Sequence, residues 1–125
     1  MDRLEEGRAL LREMMGEKAL EARDSKRNAF NATIQDYSDE VCFGTVWSRP
    51  GIERKTRSTL NIAMLVALNR PNQLRSHIDI GLNNGLTVEE LREIILHCAV
   101  YAGLPAAVEG FKVAEDVLRA RGELE

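Results

Sequence analysis

The chain has 125 residues, 44% of them hydrophobic and 30% charged, a balance that fits one packed domain over residues 1–125 and excludes disordered or low-complexity chain. Seventeen Lys and Arg against twenty Asp and Glu leave a formal net charge of -3, so no basic field exists to hold nucleic acid or an anionic membrane. Cys42 and Cys98 show no CxxC or Cys/His zinc spacing, and no apolar run approaches the about 20 residues of a membrane span; together these point to a soluble protein of the reducing cytoplasm.

Asp2 is suited to cap a first helix with Glu5 three residues on, and Leu4, Leu10, Leu11, Met14 and Met15 fall on one side of it until Gly16. A charged stretch, Glu17 to Arg27, follows. Phe30, Ile34, Tyr37 and Val41 then recur at helical spacing and predict one face of a second helix, stopping at Gly44 or running on to Trp47. Ser48-Arg49-Pro50-Gly51 is a turn, because Pro fixes φ and Gly tolerates a positive φ beside it. Leu60 to Leu68 is apolar on nearly every side, which predicts a buried third helix.

Asn69-Arg70-Pro71 breaks that helix, and a fourth carries the stripe Leu74, His77, Ile78, Gly81 and Leu82 before Gly85. Thr87-Val88-Glu89-Glu90 reads as a capping box for a fifth helix with Leu91, Ile94, Ile95, Cys98, Tyr101 and Ala102 on one face, stopped by Gly103. Pro105 opens a sixth, packed through Ala107, Phe111, Ala114 and Leu118. No alternating or β-branched run with hairpin signals occurs, so the fold class is all-α with about six helices. A helix apolar on every side in so small a domain leaves more hydrophobic surface than one thin bundle covers, and self-association is expected.

Few polar residues on apolar faces are available for chemistry. His77 is the first, because imidazole exchanges protons near neutral pH; a hydrogen-bonded core histidine is the plainer alternative. His97 falls at the edge of its helix's stripe. Neither histidine has HExxH spacing and the acidic residues form no ligand cluster, so no metal is expected. Arg49, Arg54, Arg57, Arg70 and Arg75 gather in sequence after Trp47, and an arginine fork beside an aromatic wall suits a small carboxylate, although each singly is equally suited to a surface ion pair. The cysteines lie on or near apolar faces, where a thiol is an inert hydrophobe. Helix, Asn83-Asn84-Gly85, helix imitates a DNA-binding helix-turn-helix, but Glu89, Glu90 and Glu93 at the start of the second helix repel phosphates.

From Val46 to Leu118 the chain carries VWSRPG, RxH followed by NNG, and YxGxPAA in that order, and in this it resembles the carboxymuconolactone decarboxylase family of the alkylhydroperoxidase-D-like superfamily. The resemblance implies a helical homo-oligomer, commonly a hexamer. It also implies decarboxylation of gamma-carboxymuconolactone to 3-oxoadipate enol-lactone and carbon dioxide in protocatechuate breakdown by the beta-ketoadipate pathway, without metal or organic cofactor. For that reaction His77 is the candidate donor or acid, Arg49 and Arg57 are the candidates for the carboxylate anchor, and Trp47 and Tyr101 are candidate pocket walls, with the tyrosine hydroxyl as a second candidate donor. The superfamily's peroxidases place a CxxC shortly before this histidine; here Arg70 and Gln73 stand there, so dithiol redox chemistry has no sulfur to run on. Thr45 and Ala102 depart from positions often acidic and often cysteine in the family. A related lyase or isomerase on another lactone or enolisable acid, and a noncatalytic oligomer binding a small acid, are the alternative readings.

Overall fold

In the computed structural model, which describes residues 1–125, every regular element is helical. Seven α-helices and one π-helical segment form two compact units, residues 1–53 and 54–125.

The first unit opens with α1 (Arg3–Met15), where the Asp2 carboxylate accepts the Glu5 amide at 2.8 Å and Leu10, Leu11 and Met14 are buried. Gly16, at φ 88°, turns the chain directly into α2 (Glu17–Asp24). That helix buries only Leu20, so its charged sequence carries no apolar period, and this is why seven helices stand where about six were expected. Then α3 (Ala32–Tyr37) runs into the π-helical segment Ser38–Trp47. The expected apolar face of this region is not a buried one. Phe30 is 94% exposed and precedes the helix, and Ile34 and Tyr37 are exposed. Once the bonding changes to i→i+5, the 3.6-residue stripe no longer holds, and the side turned inward carries Asp39, Phe43, Gly44 and Trp47.

Two glycines let α1 and the π segment meet backbone to backbone. A Cβ on Gly7 would strike the Asp39 carbonyl oxygen, and one on Gly44 the Arg3 carbonyl oxygen. The Asp39 side chain is fully buried, and both its oxygens are held: Oδ2 by Arg8 Nη1 at 2.9 Å and Oδ1 by Arg23 Nη2 at 2.7 Å. Arg8 also donates both terminal nitrogens to Asp24, at 3.2 and 2.6 Å, and those bonds hold the Asp24 carboxyl below the usual carboxylate range.

The second unit contains α4 (Arg54–Ala67), α5 (Pro71–Asn83), α6 (Val88–Tyr101) and α7 (Leu104–Ala120). The Thr87–Glu90 capping box forms, with both of its bonds at 3.0 Å. The core gathers Ile62, Val66, Leu74, Ile78, Leu91, Ile95 and the inner face of α7. Ile62 of α4 and Leu86 together fill the space a side chain on Gly81 of α5 would need, and Val66 and Ile95 do the same at Gly110 of α7. In one chain α4 is not buried all round: Ser58, Ile62 and Val66 point in, while Leu60, Met64 and Leu68 are exposed, Leu68 to 60%. The three partner helices of this unit cover one side of α4, which is all that so short a chain supplies.

Removing the Asp39 carboxylate takes a hydrogen-bond partner from Arg23 and leaves Arg8 with Asp24, so Asp39→Ala should lower unfolding stability by about 1–3 kcal/mol in urea titration. A loss under about 1 kcal/mol would show that the arginines re-pair at no cost.

Candidate active site

His77 is half-buried on α5, between the core residues Leu74 and Ile78. A short connection, with Asn69 in left-handed backbone at φ 56°, folds α4 back antiparallel against α5. Their register is fixed at two places. Ile62 sits in the Gly81 notch, and buried Ser58 Oγ accepts a hydrogen bond from Asn84 Nδ2 at 3.0 Å. That register puts Asn61 Nδ2 3.4 Å from His77 Nδ1. Arg57, also half-buried, lies one helical turn before Asn61 on the same side of α4.

Desolvation by burial lowers the His77 pKa to about 4, so the ring is neutral at physiological pH. A neutral ring accepts the Asn61 amide at Nδ1 only when its own proton is on Nε2. Such an imidazole offers a neutral N–H donor rather than the acidic proton of an imidazolium.

The other sequence candidates are placed as follows. Tyr101 ends α6 at 81% exposure, with its ring tilted against exposed His97 at a centroid distance of 5.0 Å. The expected inner stripe of α6 therefore stops at Cys98, since Tyr101 and Ala102 lie past the part of the helix that the core covers. Cys98 is buried, its thiol donates to the Ala63 carbonyl at 3.7 Å, and burial pushes its pKa up, as suits an inert side chain. Arg70 donates to the Leu68 carbonyl at 2.8 Å and Arg75 pairs with Asp116 at 3.5 Å.

In the first unit, Trp47 is buried and stacked on Phe43 at 5.9 Å. Arg49 stands exposed at the edge of an open cleft with Arg3, Glu6, Glu40, Thr45 and Ser48 in its lining. Arg3 donates to Thr45 Oγ1 at 2.9 Å, and the Thr45 hydroxyl donates to the Glu40 carbonyl at 3.0 Å. No three His, Cys, Asp or Glu side chains come together in a ligand cluster.

Sequence reasoning missed Asn61, whose amide approaches His77. Its signal was a single amide inside the apolar run Leu60 to Leu68.

The model of the carboxymuconolactone decarboxylase family matches residues 32–116, from the start of α3 into α7. The chain belongs to that family. Among its relatives, the 4-carboxymuconolactone decarboxylase of Acinetobacter baylyi is 42% identical over 120 residues, covering 96% of this chain and 90% of the relative. A nitrosuccinic acid decarboxylase of Metarhizium robertsii is 34% identical over 116 residues, covering 91% and 80%. Two family members named for different acids are thus both decarboxylases.

The depressed His77 pKa has a definite consequence. The unfolded ring protonates near pH 6.5 and the folded one near 4, so the unfolded state binds the proton first on acidification. His77 contributes to stability in full above about pH 6.5, and that contribution drains away as pH falls toward 4. By NMR the His77 ring should stay neutral from pH 8 down to about pH 5; a midpoint near 6.5 would contradict a desolvated site.

Proposed function

We propose that this chain is a carboxy-lyase that converts 4-carboxymuconolactone to 3-oxoadipate enol-lactone and carbon dioxide, in the beta-ketoadipate pathway of protocatechuate breakdown and without a cofactor. The near-full-length likeness to a 4-carboxymuconolactone decarboxylase carries this reading, and the state of His77 supports it. In the substrate the reacting carboxylate sits on the gamma carbon of an unsaturated lactone. When the bond to that carboxylate breaks, its electron pair moves through the ring double bond onto the lactone carbonyl oxygen, giving a dienolate. A proton drawn from solvent then adds to a ring carbon, so that carbon dioxide is exchanged for a proton.

The substrate supplies its own electron sink. The protein's part is to bind the spectator carboxylate, to favour loss of the reacting one's charge, and to stabilise the new oxyanion. In this reading the His77 Nε2–H donates to that oxygen. Arg57 and Arg49 are the candidate anchors of the spectator carboxylate, Trp47 is a wall, and Tyr101 is a second wall or donor. The low pKa of His77 favours the oxyanion donor over a general acid, because an imidazolium is scarce at neutral pH.

A second reading, decarboxylation of another acid whose charge also moves onto oxygen, is favoured by the relative named for nitrosuccinic acid. Loss of a carboxylate beside a nitro group places charge on the nitro oxygens, which a neutral N–H serves equally well.

The same reading makes 1–125 one functional domain, since the family match spans residues of both units, and makes the protein a cytoplasmic homo-oligomer with six copies expected. Exposed Leu60, Met64 and Leu68 along α4, with Val100 and Leu104 nearby in sequence to one another, support a surface covered by further copies.

Carbon dioxide release from purified protein and 4-carboxymuconolactone tests the reaction, with nitrosuccinate as the competing substrate. His77→Gln should keep the oligomer and lower kcat by about 10²-fold or more, the worth of an oxyanion donor. Arg57→Ala or Arg49→Ala should act mainly on KM if that side chain only anchors the spectator carboxylate. A folded His77→Gln enzyme with near-normal kcat would make the histidine structural. Sedimentation at micromolar concentration should give an assembly larger than a dimer; a monomer there would remove the oligomer.

A further inference from the structure

The α4–α5 pair contains one polar contact at the imidazole that no family likeness assigns. We propose that Asn61 is a positioning residue that locks His77 in the tautomer with its proton on Nε2, so that this nitrogen and not Nδ1 presents the N–H to the reacting oxygen. The kinetic part of this rests on the decarboxylase reading.

Several observations lead to it. Asn61 is half-buried and is the one amide among Leu60, Ile62, Ala63, Met64 and Leu65. Its side-chain nitrogen, which only donates, stands 3.4 Å from His77 Nδ1. A neutral ring with its proton on Nε2 accepts that bond. A ring with its proton on Nδ1, or a charged ring, would set N–H against N–H.

The contact is held from both ends. Ile62, the neighbour of Asn61, fills the notch at Gly81, one turn beyond His77, and Asn84 grips Ser58 farther along the same pair of helices. Neither side chain can slide away without opening the packed α4–α5 interface. Burial and the Asn61 bond act in one direction, since both disfavour the imidazolium.

The test uses the full chain labelled with 15N histidine, read by long-range 1H–15N correlation at pH 7. In the wild type, His77 Nδ1 should resonate as an unprotonated nitrogen and Nε2 as a protonated one. Asn61→Asp places acceptors where the donor was and should move the proton to Nδ1 or charge the ring. Asn61→Leu removes the donor and should leave both tautomers populated. In both variants kcat on 4-carboxymuconolactone should fall about 10- to 100-fold, the range seen when an orienting hydrogen bond is lost, while KM changes less than about threefold.

If Asn61→Leu fails to fold, the nearly isosteric Asn61→Asp carries the test alone. A wild-type ring with its proton on Nδ1, an unchanged tautomer in the variants, or a changed tautomer with unchanged kcat would each overturn the proposal. A wild type that shows the expected tautomers and variant shifts yet releases no carbon dioxide would uphold the assignment of Asn61 and overturn the substrate reading instead.

Discussion

The second unit depends on one packing constraint, the seat of Ile62 in the space left by Gly81. Close-packed helices have few admissible registers, because a side chain displaced from its notch meets another side chain rather than a void. With Ile62 seated, Ser58 falls opposite Asn84 and Asn61 falls opposite His77. The polar pair at the candidate site is thus a by-product of an apolar fit. Val66 against Gly110 repeats the device toward α7, so α4 is held on two sides by glycines that have no side chain to give way.

The two units bury ionisable groups by opposite means. Asp39 keeps company with two arginines and has both oxygens hydrogen-bonded, so the charge is compensated by charge. At His77 the desolvation of burial pushes the ring to the neutral form. The first solution stabilises and orients a π-helical segment; the second leaves a titratable ring uncharged.

An uncharged ring matters for the proposed reaction. A cation beside the reacting carboxylate would bind the ground state as well as the transition state, and uniform binding does not raise kcat. A neutral N–H gains most as the oxyanion develops, because the charge it faces grows along the reaction. The same logic covers both acids for which the relatives are named, since in each the departing carbon dioxide leaves a charge on oxygen. Selectivity between them must then come from the residues that hold the rest of the substrate, not from the histidine.

Much of the fold was legible in sequence because helix signals are local. Asp2, Thr87 with Glu90, Pro71, Pro105 and the positive-φ glycines at 16, 85 and 103 all act within one turn, and each marks the helix boundary it suggested. The family resemblance, carried by short motifs in fixed order, was legible for the same reason. What sequence could not supply was long-range. The period of 3.6 presumes α-winding, which ends at Tyr37, and the π segment that follows turns Asp39, Phe43, Gly44 and Trp47 inward, while Ile34 and Tyr37 on α3 stay exposed. Apolarity alone could not say how many neighbours α4 has in one chain, nor that Tyr101 projects past the core. His77 was visible as an ionisable residue on an apolar stripe, but its neutrality follows from burial, and Asn61, sixteen residues away, is brought near it only by the packing of two antiparallel helices.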